Sequence, residues 1–335
     1  MLKDVLLAKQ KEINERLETL LVSDLSAHQK LFDAMNYSLS AGGKRIRPFL
    51  FLLILELWGK DARLYLDIAC ALECVHTYSL IHDDLPAMDN DDYRRGRPTN
   101  HKVFGAGMAT MAGDGLLTFA FELLAGEQQI APALRCELIS ILAKAAGPEG
   151  MVGGQAHDIE SEGRTLTLPE LQLMDHCKTG CLLTAPVDMA LAMTESSEEE
   201  KNLLHAFAVH VGLLFQMTDD LLDVNGHLDE MGKMPHQDAA DHKSTYVSLL
   251  GKERTKALAE EEARHAKENT GKGRSGHKPS HRACGHAAGT HEVEEIYGKS
   301  EGQERTAGCH ARRAGLFRQP GECETAYHGR HHPCQ

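Results

Sequence analysis

Apolar residues recur at i, i+3 and i+4 through Leu2 to Val22, Leu64 to Asp84, Met108 to Leu124, Ala133 to Ala146, Glu199 to Asp223 and Lys243 to Lys267. That period belongs to helices with a buried face, and the alternation expected of strands is scarce. Breakers separate the segments at Ala41-Gly42-Gly43, Gly96-Arg97-Pro98, Gly147-Pro148, Gly163 and Gly226. No repeat of about 20 to 50 residues points to a solenoid. The pattern predicts an all-α, single-domain multi-helix bundle whose helices pack in more than one layer. Its most apolar run, Pro48 to Trp58, is about half of the roughly 20 residues a membrane helix needs, and Glu56 interrupts it. It reads as a buried core helix, and no membrane span is expected.

The helical pattern stops near residue 268. The 67 residues from 269 to 335 hold 11 Gly, 8 His, 7 Arg and 4 Cys, and their only large aliphatic or Phe residues are Val293, Ile296, Leu316 and Phe317. Such a segment cannot build a core. The expected division is a helical domain over 1–268 and a disordered tail over 269–335. The tail reads as coding sequence translated in the wrong frame, with a genuine low-order tail as the alternative. A zinc site from Cys284, His286, Cys309, His310, Cys323 and Cys334 is a sharper reading, but no C-x₂₋₄-C pair supports it.

The net charge of −13 divides into −16 over 1–268 and +3 over the tail. This balance gives no support to nucleic-acid or anionic-membrane binding, so an anionic ligand must be held by local cations. Cys70/Cys74 and Cys177/Cys181 lie in apolar helical stretches and read as small core residues rather than zinc ligands. Without a signal-peptide pattern, the cysteines fit a reduced, cytoplasmic setting.

Three constellations carry chemistry. In Asp83-Asp84-Leu85-Pro86-Ala87-Met88-Asp89 the first and last carboxylates would face different sides of a straight helix, and Pro86 supplies the break that lets them converge. A hard divalent cation, above all Mg²⁺ shared with a phosphate, neutralises such a group. In Thr218-Asp219-Asp220-Leu221-Leu222-Asp223, Asp219 and Asp223 are one turn apart and can share an ion. The cations are Lys44, Arg45 and Arg47, then Arg94 and Arg95, Lys178, Lys233 and Lys243. Two carboxylate clusters with these cations imply a site for two diphosphates, one gripped through metals and one directly.

GGKRIRP (42–48), ECVHTYSLIHDDLPAMDNDDYRRGRPTNH (73–101), GMVGGQAHDIE (150–160), KTG (178–180), FQMTDDLLDV (215–224), and Gly232-Lys233 with Lys243-Ser244-Thr245-Tyr246 stand in that order over roughly residues 1–265. With these segments the sequence resembles the trans-isoprenyl diphosphate synthases, specifically the bacterial farnesyl diphosphate synthase type. The resemblance implies an isoprenoid synthase-like bundle around a central cavity, and a homodimer. It implies Mg²⁺, three ions per site, on Asp83, Asp89 and Asp219, supported by Asp84, Asp220 and Asp223. Arg94, Lys178, Lys233 and Lys243 would hold the allylic diphosphate. Lys44, Arg47, His76 and Arg95, with Gly43 of the same loop, would hold isopentenyl diphosphate.

The implied reaction joins isopentenyl diphosphate to dimethylallyl or geranyl diphosphate by ionisation, carbocation addition and proton loss. Metals and cations stabilise the leaving diphosphate, while the Thr179 hydroxyl and Gln216 amide oxygen would face the carbocation. A bulky Tyr78 beside a small Ser79, on the helix before Asp83, resembles enzymes that stop at C15. Geometry alone favours Ser79, which lies almost beneath Asp83. The alternatives are a geranylgeranyl diphosphate synthase, a terpene cyclase, and a member impaired by its altered C-terminus. Thr218, where a second Gln is common, and His236 and His242, where Gly is common, depart from the family pattern.

Overall fold

A computed structural model describes residues 2–225 and 243–272 of the chain. They lie in one of two compact units, Met1–Glu301; the other, Gly302–Gln335, is outside the described residues, as are Lys233 and the tail cysteines and histidines.

The all-α expectation holds. The helices are α1 (Leu2–Leu20), α2 (Gln29–Leu39), α3 (Ile46–Leu57), α4 (Leu66–Asp83), α5 (Asn100–Phe104), α6 (Ala106–Gly126), α7 (Pro132–Ala146), α8 (Met151–Glu160), α9 (Leu168–Asp175), α10 (Cys181–Ala192), α11 (Glu198–Asn225), α12 (Tyr246–Leu250) and α13 (Lys252–Lys272). A five-residue π turn, His176–Gly180, joins α9 to α10. Among the described residues the strands are one two-residue antiparallel pair, β1 (Tyr93–Arg94) and β2 (Arg97–Pro98), in the register Tyr93↔Pro98.

The core forms where apolarity runs round whole helices. α3 is buried from Pro48 to Leu55, which bears out the reading of Pro48 to Trp58 as a core helix. In α4 every residue from Ile68 to Val75 is buried, Glu73 included. Their shared core takes in α1, α2, α6, α7 and α10. Cys70 and Cys74 are buried free thiols in it, and Cys177 and Cys181 are half-buried free thiols. Two other stretches, Ala62–Asp83 and Ala106–Gly126, are long and apolar enough by length and composition to cross a membrane; the first is mostly buried in the bundle.

The expected helix from Lys243 to Lys267 is two helices. Gly251 takes a φ of +75°, a left-handed conformation that ends α12, and the Thr245 hydroxyl oxygen accepts the Ser248 N–H at its start. Periodicity hides the break because both halves feed one apolar cluster, in which Tyr246 and Ala259 meet Leu171, Met174, Leu214 and Met217.

Candidate functional site

The first acidic group is folded by the end of α4. The helix stops at Asp83, and the chain turns through Pro86 until the Asp89 N–H donates to the Asp83 carbonyl at 2.9 Å. This return brings the two carboxylates into the wall of a cavity of about 650 Å³. Burial raises the Asp83 carboxyl above its usual range, with Asp89 adding to the effect and Lys178 opposing it. Asp84 turns away from this cavity. It is 3% exposed and accepts from Arg94 at 2.6 Å, yet burial pushes it up to about 7.

The opposite wall comes from α8, α9, the π turn and α11. A Cβ on Gly154 would stand 2.2 Å from the Lys178 nitrogen, so the glycine lets α8 lie directly against the π turn. Lys178 Nζ then reaches Asp158 at 2.6 Å, and Lys243 Nζ reaches Asp89 at 3.0 Å and Asp158 at 3.7 Å. Burial opposes ionisation of Asp158, but these two lysines outweigh it and hold the carboxyl below its usual range. Gly180 and Gly212 make a second close approach, which sets Thr179 opposite Gln216. Thr179 Oγ1 donates to Gln216 Oε1 at 3.3 Å, and the Gln216 amide donates to Asp220 at 3.2 Å. Asp220 also accepts the Tyr246 N–H at 2.7 Å. π turns occur often at functional sites, and this one carries both Lys178 and Thr179.

Arginines gather at the other end. Gly42 and Gly43 have φ of +85° and +114°, and Arg45 follows at +52°. Arg45 is 3% exposed and donates to Glu73 at 2.5 Å and to Asn14 at 2.9 Å. Arg95 and Gly96 form the two-residue turn between β1 and β2, both at positive φ. That turn sends the Arg95 guanidinium into the place a Gly43 side chain would take, where it donates to the Gly42 carbonyl. Gly43 therefore serves by making room for Arg95. Burial lowers Arg95 to about 10, with Arg45, Arg94 and Arg47 adding to the fall against Glu73. Burial and the same arginines push His76 well below its ordinary value, so the imidazole is neutral.

One cavity thus gathers most of the residues singled out in sequence. Arg47, His76, Arg94 and Arg95 line it, as do Asp83, Asp89, Asp219 and Asp220. Lys178, Thr179, Gln216 and Lys243 line it too, and so do Tyr78 and Ser79. Gly43, Lys44, Asp84 and Asp223 are not among its lining residues, Asp223 being 5% exposed. Tyr78 is 5% exposed and packs edge-on against His82, with ring centroids 5.7 Å apart. The Ser79 hydroxyl donates to the His76 carbonyl at 2.9 Å.

Sequence reasoning missed Asp158 and Asp175, both in the cavity wall. Neither belongs to a paired-carboxylate pattern. The available signals were the position of Asp158 inside the GMVGGQAHDIE segment and of Asp175 three residues before Lys178. Burial raises Asp175 well above the usual carboxyl range, and Asp220 adds to it. The donor set at this end is hard carboxylate oxygen from α4, the return after it and α11, with Asp83 and Asp175 driven toward protonation by burial, Asp89 adding to the first and Asp220 to the second. That chemistry fits Mg²⁺.

The sequence model of the Polyprenyl synthetase family matches residues 28–282. The chain is 50% identical over 246 residues to a farnesyl diphosphate synthase of Geobacillus stearothermophilus, covering 73% of this chain and 83% of that protein. It is 43% identical over 258 residues to geranylgeranyl pyrophosphate synthase 7 of Arabidopsis thaliana, covering 76% and 74%. Among solved structures, a Helicobacter pylori geranyltransferase complexed with magnesium and isoprenyl diphosphate superposes with a TM-score of 0.73 at 36% identity, covering 80% of this chain and 91% of that one. The match of fold, motif order and sequence model over most of the chain means that it belongs to the Polyprenyl synthetase family.

Proposed function

We propose that this chain condenses isopentenyl diphosphate with dimethylallyl or geranyl diphosphate to give farnesyl diphosphate. The observation that carries the reading is that one cavity is lined by two charged groups, arginines around His76 and aspartates paired with Lys178 and Lys243. A polyanion suits the first group, and a polyanion bridged by divalent cations suits the second.

Arg47, Arg95 and His76 bind and orient isopentenyl diphosphate, and Lys44 is assigned to the same diphosphate by resemblance alone. Asp83, Asp89 and Asp219 would hold Mg²⁺, three ions by family resemblance, with Asp84, Asp220 and Asp223 in support. When bound, Mg²⁺ supplies positive charge to the leaving diphosphate. Lys178 and Lys243 exchange their carboxylate partners for the allylic diphosphate and stabilise the negative charge that grows on it as the C–O bond breaks. Lys233 is assigned to the same diphosphate by resemblance alone. The electron pair leaves with the diphosphate, and the Thr179 hydroxyl and Gln216 amide oxygen turn dipoles toward the carbocation. Phe215, Leu182 and Met174 exclude water from it. The isopentenyl double bond adds to the cation, and the released diphosphate removes the final proton. Tyr78 closes the cavity floor, which favours C15 over the C20 product of the geranylgeranyl relatives.

We place the catalytic domain at 1–268, in a reduced cytoplasm, as a homodimer. Helix α6 supports the dimer, because only 33% of its apolar stretch is buried within the chain and a second copy would cover the remainder. The test is incubation of the full chain with isopentenyl diphosphate, geranyl diphosphate and Mg²⁺, with products resolved by chromatography. C15 product that disappears with chelator is expected. C20 product favours the geranylgeranyl reading, diphosphate release from the allylic substrate alone favours a cyclase, and no turnover overturns the proposal.

A further inference from the structure

His210 on α11 and Glu262 and His265 on α13 each bring one donor atom within 4.8 Å of the others. Glu262 and His265 are three residues apart and share a helix face. His210 Nδ1 lies 2.6 Å from Glu262 Oε2, and the two imidazoles meet edge-on with centroids 5.3 Å apart. Glu262 is 9% exposed, and Phe207, Val211 and Ala266 form a small apolar cluster beside the three side chains. None of the three lines the substrate cavity, and His210 precedes Asp219 by nine residues, about 13 Å along the helix axis.

We propose that His210, Glu262 and His265 bind one divalent transition-metal ion, of which Zn²⁺ fits best, and that the ion braces α13 against α11. Two imidazoles and one carboxylate suit zinc and its neighbours, whereas Mg²⁺ and Ca²⁺ prefer all-oxygen sites. A tetrahedral ion about 2.0–2.2 Å from each donor sets neighbouring donors about 3.3 Å apart. To reach that spacing the 2.6 Å separation of His210 and Glu262 must open slightly, while the remaining donors already stand within 4.8 Å. Water takes the fourth position, as it does where three protein ligands hold zinc. A hydrogen-bonded pair of His210 and Glu262 alone would not need His265 at the same point. The brace would hold the last described helix onto the one that carries Asp219 and Asp220.

The experiment titrates Zn²⁺ into the full chain in excess Mg²⁺, which keeps the aspartate clusters occupied, and counts retained zinc by atomic absorption after desalting. Co²⁺ in place of Zn²⁺ reports tetrahedral nitrogen ligation through its visible absorption. One ion per chain and a rise of several degrees in the thermal midpoint are expected. In His210→Gln/His265→Gln the affinity should fall at least tenfold and the thermal rise should vanish. The single variant His265→Gln serves if the double variant does not fold, with circular dichroism as the check. Equal zinc affinity in wild type and variant would place the metal elsewhere, the tail cysteines included, and overturn the proposal. So would the absence of any zinc that survives excess Mg²⁺. Neither result touches the prenyltransfer assay, which is run with Mg²⁺ alone.

Discussion

Gly154→Ala tests whether the approach of α8 to the π turn sets the chemistry. The new Cβ would sit 2.2 Å from the Lys178 nitrogen and 2.6 Å from its Cα, where ordinary contact starts near 3.4 Å. Both obstacles are backbone, so the helices must part by about 1.2 Å. The Lys178 to Asp158 bond of 2.6 Å and the Thr179 to Gln216 bond of 3.3 Å cannot survive that shift unchanged. Overpacking of this kind costs about 1–3 kcal/mol, a fall of roughly 2–5 °C in thermal midpoint for a fold of this size. A misplacement near 1 Å at reacting groups lowers kcat by about 10²-fold. Steady-state kinetics and a melting curve read both numbers. Glu149→Ala, an exposed position just before α8, is the control and should leave kcat unchanged. A Gly154→Ala enzyme with kcat within about twofold of wild type and an unchanged midpoint would refute the argument.

Tyr78→Ala should lengthen the product beyond C15 on chromatography and, because the ring is 5% exposed, destabilise the fold by about 3–5 kcal/mol; unchanged C15 output would remove Tyr78 as the floor. Arg45→Ala leaves the Glu73 charge buried and should cost about 3–5 kcal/mol in chemical denaturation. Replacing both partners, as Arg45→Met/Glu73→Leu, should recover only part of that loss, since Arg95, 4.0 Å from Glu73, then loses its carboxylate neighbour. His205 is half-exposed, and its hydrogen bond to Asp188 raises its pKa against the effect of burial. Its contribution is therefore fully present below about pH 6.5 and lost as pH rises through the folded value. The gap in midpoint between wild type and Asp188→Asn should shrink from pH 6 to pH 8; a gap independent of pH would show that the pair contributes no charge interaction.

The sequence exposed what depends on local spacing. Pro86 predicted that Asp89 would fold back on Asp83, and the four-residue step from Asp219 to Asp223 predicted a shared helix face. It could not show that Asp84 and Asp223 leave the cavity lining while Asp158 and Asp175 enter it, because that depends on which helix packs where. Gly154 and Gly212 are equally silent as sequence; their meaning is a distance to another helix. The single helix expected from Lys243 failed because the apolar period runs unchanged through Gly251, where a backbone angle rather than hydrophobicity decides the break.

The place where the Arg95 guanidinium occupies the missing side chain of Gly43 has a kinetic consequence. The two residues lie on separate loops, and each loop is bent by left-handed backbone that α3 and α4 do not impose. Their contact joins residues 53 apart in sequence, so this end of the cavity closes only after the long helices between them have docked. Contacts that wait for distant segments form slowly, because loop closure must come before they contribute. Binding competence for isopentenyl diphosphate should therefore emerge as a late phase of refolding, behind the recovery of helix signal.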